Sequence, residues 1–236
     1  MQLFYNADIS ELSTSFTFDK TESRHIVRVL RKSESDTLQI TNGRGQLFLA
    51  EIVLASDKKC QVHILKCVQK KKAWDYHLHI AVAPTKLNDR MEWFLEKATE
   101  IGIDEITPII CDHSERKVVK LERFEKIILS AMKQSLKFHL PKLNSPVTFK
   151  QFIKGNPKGA LYIAHCEEQD KKSFKKELEA NDDITIAIGP EGDFSSKEIA
   201  FALQNNFIPV TLGESRLRTE TAALVACHSV AFLNEH

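Results

Sequence analysis

The chain has 236 residues, 42% hydrophobic and 28% charged, with a formal net charge of +1, a make-up that fits a folded globular protein and excludes disordered or collagen-like chains. No apolar run approaches the ~20 residues of a membrane span, and MQLFYNADIS lacks the basic-then-apolar layout of a signal peptide, so a cytoplasmic protein is expected. The five cysteines, Cys60, Cys67, Cys111, Cys166 and Cys227, form no C-x-x-C pair, and their odd number argues for reduced packing residues.

Up to Lys72 the chain is basic, with 12 Lys and Arg against 8 Asp and Glu; of the chain's 33 and 32 this leaves 21 against 24 from Ala73 onward. At the same place, Lys70-Lys71-Lys72, short β-like runs give way to longer strand and helix alternations, which predicts two domains, 1–72 and 73–236. In the first, LQITNG, QLFLAEIVLA and CQVHILKCVQ are separated by turn formers such as Asn42-Gly43-Arg44-Gly45, as in a small antiparallel barrel. One helix-like segment, Glu22 to Lys32, interrupts them. At about 100° per residue, Arg24, Arg28 and Arg31 fall within about 60° of one another, opposite Ile26, Val27, Val29 and Leu30. Such a face is usually just solvated; arginine in preference to lysine on a basic domain tilts the reading towards phosphate contact, because such side chains displace counterions from a nucleic-acid backbone.

From Ala73 the chain alternates strand and helix: HLHIAVAP then Arg90–Ile101, EITPIIC then Leu121–His139, ALYIAHC then Lys171–Ala180, DITIAIG then Ser196–Asn205, and FIPVTLG then Thr219–Leu233. That order predicts an α/β domain with a parallel sheet covered by helices on both faces. Met91, Phe94, Leu95, Ala98 and Ile101 form one core stripe, and Phe124, Ile127, Ile128 and Ala131 another.

In such sheets ligands bind beyond the carboxyl ends of the strands. Two loops there stand out: Gly189-Pro190-Glu191-Gly192-Asp193, and Gly213-Glu214-Ser215-Arg216-Leu217-Arg218-Thr219-Glu220-Thr221. Either alone reads equally well as a plain turn. A capping-box spelling, Ser195-Ser196-Lys197-Glu198, opens the helix after the first loop. No G-x-G-x-x-G, Walker A, H-E-x-x-H or G-x-S-x-G motif occurs, so phosphate-bearing cofactors, zinc and serine hydrolysis have no motif behind them. No metal is expected; His77 and His79 share one strand face without an obvious third ligand.

The pair IGPEGDFSSKE and LGESRLRTETAAL resembles the signature of the SPOUT methyltransferases, specifically the RsmE family of ribosomal RNA uridine N3-methyltransferases. His25 to Arg31 resembles that family's N-terminal basic motif, and Glu96 to Gly102 with Pro108 the segment after its first catalytic-domain strand, so the likeness spans nearly the whole chain. It implies a PUA-like β-barrel RNA-binding domain over 1–72 and a SPOUT domain with a C-terminal deep trefoil knot over 73–236. It also implies S-adenosylmethionine as cofactor and 16S rRNA, in the small (30S) subunit or its late precursor, as partner.

By the same match, Gly189, Pro190, Glu191, Gly192, Leu212 and Gly213 line the cofactor pocket, with Ser215, Leu217, Arg218 and Thr219; His165 and Cys166 form a third wall. RNA contacts are expected from Arg24, His25, Arg28, Arg31, Lys86 and Lys137, the last standing where the family commonly has Arg. Asp193 stands where a small residue is frequent. Methyl transfer to uracil N3 requires loss of its proton and stabilisation of charge on the uracil oxygens; Arg218 is the candidate for the second task, Glu191 or Glu220 for the first. The glutamates read equally well as a helix N-terminal charge or a loop brace. The rival readings are a SPOUT enzyme acting on another rRNA or tRNA nucleotide and a non-catalytic RNA-binding protein. Small and apolar residues on several sides of Thr219–Leu233, among them Ala222, Ala223 and Ala226, together with the family's habit, predict a homodimer.

Overall fold

In the computed structural model, which describes residues 2–168 and 170–235, the chain divides into two units. One holds the residues up to Lys72 together with Met132–Leu140, the other Ala73–Ala131 and the residues from Pro141 on.

In the first unit, β1 (Leu3–Tyr5), β2 (Ser15–Thr17), β3 (Thr37–Thr41), β4 (Gln46–Leu54) and β5 (Gln61–Gln69) form a sheet in the order β1-β3-β4-β5-β2. Its end strands do not pair, so the expected barrel is an open half-barrel. Alternation along β4 turns Phe48, Ala50 and Ile52 inward, where they meet Phe4, Phe18, Ile40 and Val62. The turn after β3 is held locally: Asn42 Oδ1 accepts from Arg44 N–H at 2.9 Å, and Gly43 takes φ +73, where a side chain would be strained. The segment 132–140 joins this unit through backbone pairing to that turn, Gly45 N–H to Phe138 O at 2.8 Å and Leu140 N–H to Gly43 O at 2.9 Å.

The basic helix departs from its expected geometry. It comprises α1 (Lys20–Arg24), capped by Asp19, followed by a π-helical stretch over His25–Val29. The wider π turn breaks the assumed 100° spacing, and Val29 ends up 67% exposed instead of inside. Arg31, at φ +55, lies in the left-handed region beyond the helix, so it is not on one face with Arg24 and Arg28.

The second unit opens with β6 (His77–Val82), α2 (Asn88–Ile101), β7 (Glu105–Ile110) and α3 (Leu121–Gln134). Then come β8 (Lys142–Leu143), β9 (Val147–Thr148), α4 (Phe149–Lys154), β10 (Ala160–Ala164), β11 (Lys172–Ser173) and α5 (Phe174–Glu177). It closes with β12 (Asp183–Ile188), α6 (Ser196–Gln204), β13 (Ile208–Thr211) and α7 (Thr219–Leu233). All strands are parallel, in the order β11-β13-β10-β12-β6-β7-β8, with β9 beside β7. Near-continuous apolar strands are what a sheet covered on both faces requires. Ala81, Ile163 and Ala187 pack against Phe152, Ile199 and Ala202 of α4 and α6 on one face; α7 packs on β6 and β12 and lies along α2.

Two helices are shorter than the periodicity predicts. α3 stops at Gln134 because Leu136 turns left-handed (φ +56), with Lys137 N–H bonded to Met132 O and Leu136 N–H to Lys133 O, a Schellman ending. Between Lys171 and Ala180 only Phe174–Glu177 is helical, after the short strand β11.

At the amino ends of β6, β7 and β12 lies a polar groove of about 650 Å3 whose walls include His77, His79, Glu105 and Asp183. His79 is 8% exposed, its Nε2 is 2.7 Å from Thr107 Oγ1, and burial holds its pKa down to about 4. The unfolded chain takes this proton from about pH 6.5 downward and the folded chain only near 4. Acidification across that window therefore favours unfolding, by about 3 kcal/mol in full. The thermal midpoint should fall from pH 6.5 to 4, and His79→Leu, less stable at neutral pH, should show a shallower fall; parallel calorimetric curves would refute this.

Candidate active site

β13, β10 and β12 are neighbours in the sheet, so the segments leaving their carboxyl ends meet: Leu212–Arg218, His165–Cys166 and Gly189–Asp193. Two adjoining cavities form there, of about 430 Å3 and about 260 Å3, sharing walls at Ala164, Cys166, Asp193, Arg216, Leu217 and Ala222. The larger also has His165, Lys171, Leu212, Gly213 and Ser215; the smaller has Gly189, Pro190, Glu191, Arg218 and Thr219. Every residue expected in the cofactor pocket is thus in a wall, with one exception. Gly192 lines neither cavity; a Cβ added there would sit 3.1 Å from His113 Cβ, because its backbone faces the neighbouring loop.

The walls suit a ligand with polar edges. His165 is 6% exposed, and neither of its ring nitrogens has a hydrogen-bond partner among the described residues. Burial first, and then the nearby Lys171 charge, lower its pKa, so it presents a neutral imidazole. Buried polar atoms without partners are rare in folded proteins, and here they adjoin a cavity. Along Glu214–Leu217 the backbone N–H groups make no hydrogen bond within the described residues, leaving donors for a bound molecule. Ala164, Val210, Leu212, Leu217 and Ala222 supply the apolar surface. This donor set fits an adenosyl sulfonium compound held by peptide groups and apolar contact.

Neighbouring loops hold Gly189–Asp193 in place. Glu191 Oε1 accepts from Lys86 N–H at 3.0 Å, so one oxygen of this expected proton acceptor is a loop brace. His113 Nδ1 lies 3.0 Å from Gly192 O and 3.1 Å from Asp193 O. Thr219 Oγ1 donates to Gly189 O at 3.0 Å, tying the start of α7 to the loop, and the capping box of α6 forms as expected with Ser195 and Glu198. Glu220 is misplaced for catalysis. It is 7% exposed on the first turn of α7, lines neither cavity, and its Oε1 is 3.7 Å from Arg90 Nε, a charge well placed at a helix N-terminus. Arg218 is exposed at the smaller cavity, and among the described residues its guanidinium makes no ion pair or hydrogen bond. Lys171, Arg216 and Ala222 were missed at the sequence level; only Arg216, inside the Arg216-Leu217-Arg218 run, carried a usable signal.

The expected RNA contacts are dispersed in kind. Arg24 is exposed, His25 Nδ1 lies 3.4 Å from Glu22 Oε2, and Arg28 pairs with Asp57 at 2.9 Å. Lys86 Nζ pairs with Glu115 at 2.8 Å, and Lys137 follows the left-handed end of α3.

Residues 55–231 match the model of an RNA methyltransferase domain, and residues 18–65 that of an RNA methyltransferase PUA domain. The chain is 32% identical, over 89% of its own length and 85% of the relative's, to ribosomal RNA small subunit methyltransferase E of Buchnera aphidicola. It belongs to this methyltransferase E family. Among solved structures it is similar to a probable rRNA-methyltransferase from Porphyromonas gingivalis, at 44% identity and TM-score 0.92 over 99% of this chain and 98% of that one. A methyltransferase E from Neisseria gonorrhoeae bound to S-adenosyl methionine superposes with TM-score 0.85 at 25% identity, covering 99% of this chain and 98% of that one. Membership in the family makes the chain an RNA methyltransferase, with the PUA-like half-barrel ahead of the parallel α/β domain.

Proposed function

We propose that this methyltransferase E family member methylates N3 of one uridine in the 16S rRNA of the small subunit or its late precursor, in the cytoplasm, with S-adenosylmethionine as donor. The observation that carries the reading is the pair of adjoining cavities at which, among the described residues, the buried His165 ring nitrogens have no hydrogen-bond partner and the peptide donors of Glu214–Leu217 are unbonded. The bound cofactor supplies an electrophilic methyl group. The protein's share is positioning and electrostatics. Arg218, uncommitted among the described residues at the smaller cavity, stabilises negative charge on the uracil oxygens. Glu191 is oriented by the Lys86 amide through Oε1, and its Oε2 takes the N3 proton. Arg24, His25 and Arg28, with Arg31, Lys86 and Lys137, hold RNA phosphates, and a stacked uridine must leave its helix to be reached. The knot belongs to the same reading and rests on the family alone. Incubating the protein with labelled S-adenosylmethionine and 30S subunits, then mapping nucleosides, should yield 3-methyluridine at one site; label in transfer RNA or elsewhere in rRNA would move the substrate, and no label would leave a binding protein.

The homodimer is part of this proposal, on changed grounds. Ala223 and Ala226 are fully buried inside the unit and Ala222 lines the cavities, so the small residues do not form the outer surface of α7. What α7 leaves outside is Phe232, 62% exposed, and Leu233, 41%; α2, which packs along it, exposes Trp93 at 44%. A second copy would cover these exposed apolar side chains. Sedimentation should show a dimer for the natural sequence and a monomer for Phe232→Glu; a natural monomer would defeat the claim.

A further inference from the structure

Asp193 is the residue that both cavities share from the loop after β12, and its backbone is unusual. It sits at φ +64, in the left-handed region that glycine occupies at no steric cost and other residues seldom take. Its own peptide groups are engaged: its N–H donates to Pro190 O at 2.9 Å, and its carbonyl faces His113 Nδ1 at 3.1 Å. The side chain then does what glycine could not. Oδ2 accepts from Cys166 N–H at 2.7 Å, and Oδ1 accepts from Phe194 N–H at 2.8 Å. Cys166 follows β10 and Phe194 follows the β12 loop, so one carboxylate joins the segments leaving two adjacent strands. Hydrogen bonds to an ionised acceptor are the short, strong ones, and these two span the wall common to both cavities.

We infer that Asp193 is a positioning residue: a carboxylate clamp that sets the separation of the His165–Cys166 and Gly189–Phe194 segments, and so the width of the cofactor site. The inference rests on the proposal that the cavities hold S-adenosylmethionine. The clamp acts on the loops and not on the methyl group. Its loss must therefore weaken sulfonium substrate and thioether product alike, and must act on binding before it acts on the chemical step.

Two variants test it. Asp193→Gly removes the carboxylate while suiting the left-handed backbone, so it should fold with an unchanged or higher thermal midpoint. Calorimetric dissociation constants for S-adenosylmethionine and S-adenosylhomocysteine should both rise about tenfold, as expected for losing a hydrogen bond to a charged group. KM should rise in parallel, with kcat at saturation little changed. Hydrogen exchange at the Cys166 amide should quicken even without ligand. Asp193→Asn, which keeps one acceptor oxygen and tolerates the same φ, should recover much of the affinity. Unchanged dissociation constants in Asp193→Gly, when the natural protein binds, would overturn the clamp alone; a loss confined to S-adenosylmethionine would overturn it in favour of direct charge contact. Absence of binding by the natural protein would overturn the cofactor reading and this inference with it.

Discussion

Arg218→Ala is expected to lower kcat by about a hundredfold to a thousandfold, the range for removing one donor aimed at developing charge. The expectation comes from an exposed guanidinium at the smaller cavity that makes no bond within the described residues, and is thus not needed to hold the fold. The thermal midpoint and the dissociation constant for S-adenosylmethionine should change little. Arg218→Lys keeps the charge but loses the planar fork, so it should recover only part of the rate. Single-turnover methylation of 30S subunits reads the effect directly. If kcat held while RNA affinity fell, Arg218 would be a phosphate contact and not the charge stabiliser.

Gly213→Val should weaken S-adenosylmethionine binding by about fivefold to about 150-fold, corresponding to the roughly 1–3 kcal/mol of a strained backbone position. Gly213 has φ +144, a conformation closed to a β-branched residue, although an added Cβ would meet nothing within 4 Å. The substitution therefore acts by forcing the loop out of its path and not by a clash. That path carries the Glu214–Leu217 amides, unbonded among the described residues, along the larger cavity. Gly192→Val differs in kind, because its Cβ would press on His113, and it should disturb binding only through the loop braces. Calorimetry on both variants, with RNA binding measured beside it, separates the two effects. Equal affinity in Gly213→Val and the natural protein would remove this loop from the cofactor site.

Much of the architecture could be read from residue order. The strands HLHIAV, EITPII, ALYIA, DITIAI and IPVT were legible because a sheet buried on both faces demands unbroken apolar runs. The α2 stripe was legible because Met91, Phe94, Leu95 and Ala98 recur at helical spacing, and all four are buried. The two glycine-bearing loops were legible because glycine and proline mark them locally, and the structure brings them together around the two cavities, with Gly192 outside both walls.

What the tertiary structure alone decided has a common cause: each part of it depends on a partner far away in sequence. The inward pull on Ile26 and the Arg28 pairing with Asp57, 29 residues on, accompany a π turn that a regular 100° projection cannot contain. Glu220 read as a proton acceptor or a helix N-terminal charge, and only the fold sets it beside Arg90 of α2. Glu191 read as a proton acceptor or a loop brace, and only the fold brings Lys86, 105 residues earlier, to hold one of its oxygens. The segment 132–140 joins the first unit because its backbone pairs with the turn at Gly43 and Gly45, nearly a hundred residues before it. Asp193 read as a departure from a small residue, and its carboxylate acquires a purpose only where β10 and β12 lie side by side. Periodicity reports which face of an element is buried; which charged or polar group meets which depends on how strands distant in sequence are ordered in the sheet.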